Sequence, residues 1–352
     1  MTKQLLKGFS VVALAGAASL VHAQSSVTAY GRVVSGVAYQ SNIYDSSTQT
    51  TGNVWRAAGN EWGTSFWGFK GVEDLGGGLS VLFQLEGGFN APKGGAGAGN
   101  EGLSFNRRST VGLKGSMGVL KLGREIPVSD AVWALDPAGQ QTMGSATLVK
   151  GRNWIGHSNM IYYETPNLGG FSGFVLTSLG EQAGSNTASR KDAIALTYAT
   201  SGVELRLIYD VVRDANGRYS DLYTTSKHMV LGGTATLGPA KLFAAYEKLS
   251  APDVTSGSDK ATHYWLGARY QPSTPLALIA AAYRTKLNNG GGSANLFMLG
   301  TEYSLSKRTL LYASVGRVAN KGGADFGIVT EGAAPVAGGA QSGFYAGIAH
   351  SF

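Results

Sequence analysis

"SGFYAGIAHSF", residues 342–352, alternates from its first residue to its last. Phe344, Ala346, Ile348, His350 and Phe352 fall on one face, and Tyr345, Gly347, Ala349 and Ser351 on the other. A period of two is the mark of a β-strand. Chain ends are ordinarily polar and frayed, so a strand that runs into the final carboxylate is a terminus committed to structure.

The pattern recurs along the chain. "LSVLFQLEGGF" (79–89) sets Leu79, Val81, Phe83, Leu85 and Phe89 against Ser80, Gln84 and Glu86. "VELRLIYD" (203–210) sets Val203, Leu205, Leu207 and Tyr209 against Glu204, Arg206 and Asp210. "HYWLGARY" (263–270) and "NLFMLGTEY" (295–303) repeat it. Sixteen strands are predicted, near 27–40, 61–71, 78–90, 104–114, 117–124, 157–165, 171–180, 191–199, 202–210, 226–236, 240–249, 261–270, 277–285, 295–304, 309–318 and 342–352. No segment carries a convincing helical period.

The connections alternate in length. Short turns such as "EDLGGG" (73–78), "GS" (115–116), "PNLGG" (166–170) and "LGPA" (237–240) are followed by long polar or glycine-rich stretches at 41–60, 91–103, 125–156, 211–225 and 319–341. An even number of strands joined this way is the pattern of an up-and-down transmembrane barrel. In a soluble all-β sandwich, propeller or lectin, several loops of this length would count against the strands themselves. Aromatic residues near the ends of the apolar faces (Trp67, Phe69, Tyr209, Tyr270, Tyr303 and Phe352) suit the girdles of a membrane barrel. Closure also removes the exposed edges that an open sheet of sixteen strands would carry.

"MTKQLLKGFSVVALAGAASLVHA" has Lys3 and Lys7, a short apolar run and small or apolar residues at its end, the form of a secretory signal peptide. The run is shorter than the roughly 20 residues of a spanning helix. The expected division is a leader at 1–23 and one barrel domain at 24–352. The chain has no cysteine, so disulfides contribute nothing to its stability. Its net charge of +7 is spread along the chain rather than gathered in a patch, which argues against a nucleic-acid partner.

Residues for chemistry are scarce. His157, His228, His263 and His350 lack metal-ligand spacing. "GAGNEG" (97–102) matches a dinucleotide-binding pattern only formally, since no helix follows. The expectation is a protein that is no enzyme, with no catalytic residue, no metal and no cofactor. Alternation assigns Arg32, Lys70, Glu86, Glu204, Arg206, Asp210, Arg269 and Glu302 to the face opposite the apolar one. An Arg or Lys turned to lipid at the midplane costs ~2–4 kcal/mol, so these charges are expected to line water.

Taken together, 26–42, 67–89, 105–125, 162–174, 303–316 and the terminal Phe352 resemble the general porins of Gram-negative outer membranes, over the whole length after the leader. The resemblance implies an outer-membrane location, a homotrimer and passive diffusion of small hydrophilic solutes. It also implies contacts with outer-membrane lipid and lipopolysaccharide, and a role for Phe352 as the signal read by the barrel assembly machinery. In such porins the third long loop folds inward and narrows the pore, here Glu125 to Gly156. Glu125, Asp130 and Asp136 then become the candidate acidic groups of the constriction, facing a basic wall of Lys70, Arg107, Arg108, Arg124 and Arg152. Which of Arg107 and Arg108 points inward turns on a one-residue register. Phe66 stands where many relatives carry arginine, which removes a cation and narrows or greases the opening. The basic excess favours mild anion selectivity. A substrate-specific channel and a non-conducting structural or adhesive barrel are the alternatives.

Overall fold

The computed structural model describes residues 26–96, 105–329 and 333–352. The leader expected at 1–23 and the glycine-rich run at 97–102 lie outside the described residues. Among the described residues, eighteen strands form one antiparallel sheet. They are β1 (Ser26–Asp45), β2 (Thr50–Gly59), β3 (Ser65–Gly76), β4 (Leu79–Asn90), β5 (Gly95–Ala96) and β6 (Arg108–Gly115). Then come β7 (Gly118–Glu125), β8 (His157–Glu164), β9 (Phe171–Ser178), β10 (Lys191–Ala199), β11 (Val203–Val212) and β12 (Lys227–Leu237). The last are β13 (Ala240–Ser250), β14 (Lys260–Ser273), β15 (Leu276–Leu287), β16 (Ser293–Ser304), β17 (Thr309–Lys321) and β18 (Ala340–Ser351).

These eighteen strands make sixteen staves. The upper half of β1 pairs with β2 and its lower half with β3, so β2 and β3 are one stave broken at 60–64. β5 is a two-residue flap on β4. β1 also pairs with β18, from Arg32 opposite Ser351 to Gln40 opposite Gly343, which closes the sheet into a barrel. The sixteen expected strands correspond to the sixteen staves. The exception in detail is 41–60, expected as a loop. There the chain extends β1 and returns as β2, making a hairpin that stands above the barrel wall. Both faces of its tip are exposed, so no apolar alternation marks it in the sequence.

Burial follows the alternation. In β11, Val203, Leu205, Leu207 and Tyr209 are exposed on the outer wall, while Ile208 and Asp210 are buried. In β18, Ile348 is exposed and Tyr345 and Ala349 are buried. An exposed apolar exterior with a charged interior inverts the usual soluble arrangement and fits a lipid-facing wall. The "EDLGGG" turn is tight because Gly76, Gly77 and Gly78 all take positive φ.

The buried core lies inside the barrel, to one side. It is built from the segment after β7, including the short helix α1 (Pro127–Trp133), packed on inward-facing wall residues. Val128, Val132, Leu135, Met143 and Leu148 meet Ile208, Val230, Trp265, Ile279, Tyr283 and Tyr345 in one cluster. Hydrogen bonds pin the same segment. Trp265 Nε1 donates to the Leu135 carbonyl (2.8 Å), and Arg269 to that of Pro137 (3.1 Å). Ser314 and Tyr345 donate to Gln141 Oε1, each at 2.8 Å. The wall gives way to admit it: a side-chain carbon added at Gly232 would lie 2.9 Å from Leu135, and one at Gly267 would lie 2.6 Å from Pro137.

Candidate pore constriction

The break at 60–64 creates the first part of the site. Asn60 takes a positive φ and its Oδ1 accepts the Ser65 N–H at 2.6 Å, which turns the chain inward before β3 resumes. The Thr64 carbonyl is then open to Arg32, whose Nε and Nη2 donate to it at 3.0 and 2.9 Å. Arg32 Nη2 also donates to Gln140 Oε1 at 2.7 Å, which joins the barrel wall to the inward loop.

Around this break, rings and cations interleave. The Arg32 guanidinium lies 5.1 Å from the Trp62 ring and 5.4 Å from the Phe66 ring. Arg107 lies 5.0 Å from the same Phe66 ring. Phe66 meets Tyr30 edge-on at 5.9 Å, and Lys70 Nζ sits 4.8 Å from Tyr30. Phe66 therefore does more than subtract a cation. Its ring holds two guanidiniums that would otherwise repel each other.

Carboxylates form the second part. Glu86, 4% exposed, accepts from the Tyr30 hydroxyl (2.7 Å) and Gln84 (2.9 Å). It pairs with Arg107 at 3.3 Å and Arg108 at 3.2 Å. Arg108 also pairs with Glu125 and, at 2.6 Å, with Asp130 in the first turn of α1. Both arginines thus turn inward. Arg108 belongs to β6, whereas Arg107 precedes it outside the ladder, so alternation does not govern Arg107. Lys121 pairs with Glu125 at 3.2 Å. Arg124 donates through Nε to the Asn106 carbonyl (2.5 Å) and through Nη1 to Ser158. Arg206 bonds the Ala131 carbonyl at 3.1 Å and Glu204 at 2.8 Å, and Arg269 pairs with Glu302. Above the arginines lies a cavity of about 620 Å³, bordered by Arg107, Arg124, Trp133, Trp154 and Gln140.

Two expected constriction residues lie elsewhere. Arg152 is 1% exposed, paired with Asp210 at 2.5 Å and bonded to Ser226, so it anchors the loop and presents no charge to the opening. Asp136 is likewise buried, accepting from Tyr283 (2.6 Å) and from the N–H groups of Ala138 (2.8 Å) and Ser145 (2.6 Å). Burial pushes its carboxyl above the usual range, and those donors only partly oppose the push.

Arg152 leads to a cluster that the sequence reading missed. Asp210, His228, Glu247, His263, His157 and Asn153 are all fully buried beside it. His228 Nε2 lies 3.0 Å from Glu247, which also meets His263 Nδ1 at 3.0 Å and Asn153 at 3.3 Å. His157 lies 3.5 Å from Asp210. The legible signal was cross-strand register: Asp210 pairs with His228, and Glu247 with His263. No His, Cys, Asp or Glu group among the described residues is arranged to hold a metal ion.

A closed barrel with an apolar exterior, a charged interior and a loop folded against its inner wall defines a membrane-spanning pore. The chain belongs to the Gram-negative porin family, whose model matches residues 10–323. It is 30% identical to outer membrane porin protein 32 of Delftia acidovorans, over 99% of this chain and 100% of that one. It is 29% identical to an outer membrane porin protein of Bordetella pertussis, over 89% of this chain and 93% of that one. Among solved structures, the anion-selective porin from Comamonas acidovorans superposes with a TM-score of 0.80 at 28% identity, covering 94% of this chain and 100% of that one. The protein is an outer-membrane porin, a pore for passive diffusion.

Proposed function

We propose that the pore passes small hydrophilic solutes with a mild preference for anions. The observation that carries this is a charge imbalance at the narrowing. Arg32, Lys70, Arg107, Arg108, Lys121 and Arg124 stand against Glu86, Glu125 and Asp130, and the first two of those carboxylates are buried. Fixed cations at a constriction of low dielectric concentrate anions and exclude cations over distances of about a Debye length. The relative named as anion-selective supports the same sign.

The test is the reversal potential of the refolded protein in a planar bilayer across a salt gradient. The expected sign is that of anion permeation, and Arg32→Gln with Arg107→Gln moves it toward zero. A cation-selective reversal in the native protein would refute the reading. We further infer that three copies assemble and that lipopolysaccharide contacts their outer loops, with Phe352 serving assembly. The resemblance supports these, and crosslinking in outer membranes tests the trimer.

A further inference from the structure

The cations of this pore are not set in a purely polar wall. An ion-selective opening needs charge alone, yet here Arg32 and Arg107 each lie against an aromatic ring, and the cavity above them is flanked by two indoles. Arg107 belongs to both places, since it stacks on Phe66 and borders the cavity. Its Nε is taken by Glu86, but Nη1 and Nη2 have no hydrogen-bond partner among the described residues. Trp133, at the end of α1, borders the same cavity, as does Trp154, although the Trp133 Nε1–H itself is shut off from it. Guanidinium nitrogens open to a space that two indoles also border make a place where an anion carrying an aromatic ring can sit.

We propose that this cavity is a binding subsite for aromatic carboxylates. The carboxylate takes the Nη1 and Nη2 of Arg107, and the ring lies against Trp133 and Trp154. A guanidinium edge matches a carboxylate in geometry as well as charge, and indole faces favour a planar ring over a saturated one of equal size. Space is ample: an apolar cavity of ~150 Å³ accommodates benzene, and this one has about 620 Å³ for a ring together with its waters. The subsite deepens the anion-pore reading and rests on it. It would make the protein a conduit that retains aromatic acids briefly on their way inward while chloride passes freely.

The experiment compares benzoate with cyclohexanecarboxylate, equal in charge and close in size, as blockers of chloride current through the full-length protein in a planar bilayer. Reversal potential in potassium chloride is recorded first in the same membrane. Anion-selective reversal followed by saturable benzoate block, with half-block at about fivefold lower concentration than for cyclohexanecarboxylate, is the expected result. In Trp133→Leu and in Trp154→Leu the ratio of the two half-block concentrations falls toward one. Equal block by the two acids in the native protein would overturn the proposal while leaving the anion pore intact. A ratio unchanged in both variants would overturn the assignment to this cavity. A cation-selective reversal would instead remove the reading on which the subsite rests.

Discussion

Arg152 shows how far a buried charge depends on its partner. Its pairing with Asp210 and bonds to Ser226 lie wholly out of solvent, between the inward loop and β11 and β12. Removing one member of a buried pair leaves the other uncompensated, at a cost of ~3–5 kcal/mol. Arg152→Met is therefore expected to loosen the loop, seen as noisier current and a lower unfolding temperature. Adding Asp210→Asn should recover much of the loss, because the orphaned charge is gone. Equal damage in single and double variants would show that shape, and not charge, holds the joint. Arg107 poses the converse case: it remains near the opening with two nitrogens that no described residue engages, so Arg107→Gln should alter selectivity far more than stability. That difference is checked by measuring reversal potential and thermal unfolding on the same preparation.

At the scale of elements, strands were readable and their meetings were not. Every stave carries apolar residues toward lipid at alternate positions, a constraint imposed on each strand separately and therefore visible in each. The β1–β2 hairpin escaped because above the membrane neither face needs to be apolar. His157, His228 and His263 read as isolated residues because only cross-strand register gathers them. Phe66 stands out in the sequence by itself, but its two guanidinium neighbours come from β1 and from the segment before β6, so its effect is not local in the chain. The inward segment is likewise a joint between distant parts, fitted at Gly232 and Gly267. Gly232→Val should push against Leu135, and against Ala245 of the neighbouring strand, and widen the noise of the open current. Asp136 gives the same joint a pH dependence of its own. A carboxyl raised on docking binds its proton more tightly docked than free, so its favourable contribution is full below the ordinary aspartate pKa of about 3.9 and fades as pH rises through the raised value. Current noise should therefore grow as pH climbs through that window, and noise that falls instead would reverse the assignment. Tyr283→Phe, which deletes a donor to the anion, should extend the window upward.

For the whole molecule, the feature with the widest reach is the seam between β1 and β18. Gly31 exchanges two backbone hydrogen bonds with Phe352, each at 3.1 Å, and a side-chain carbon at Gly31 would sit 2.5 Å from the Phe352 ring. Gly31→Leu is accordingly expected to lower the yield of closed, protease-resistant protein on refolding into detergent, with little change in strand content beforehand. The seam joins strands more than 300 residues apart, so the barrel has no edge only when β1 and β18 meet. Before that meeting two strand edges stand unpaired and the apolar exterior lacks its lipid, which makes closure and membrane entry one problem rather than two. A change at this single contact therefore bears on every stave at once, because each depends on a ring with no gap in it.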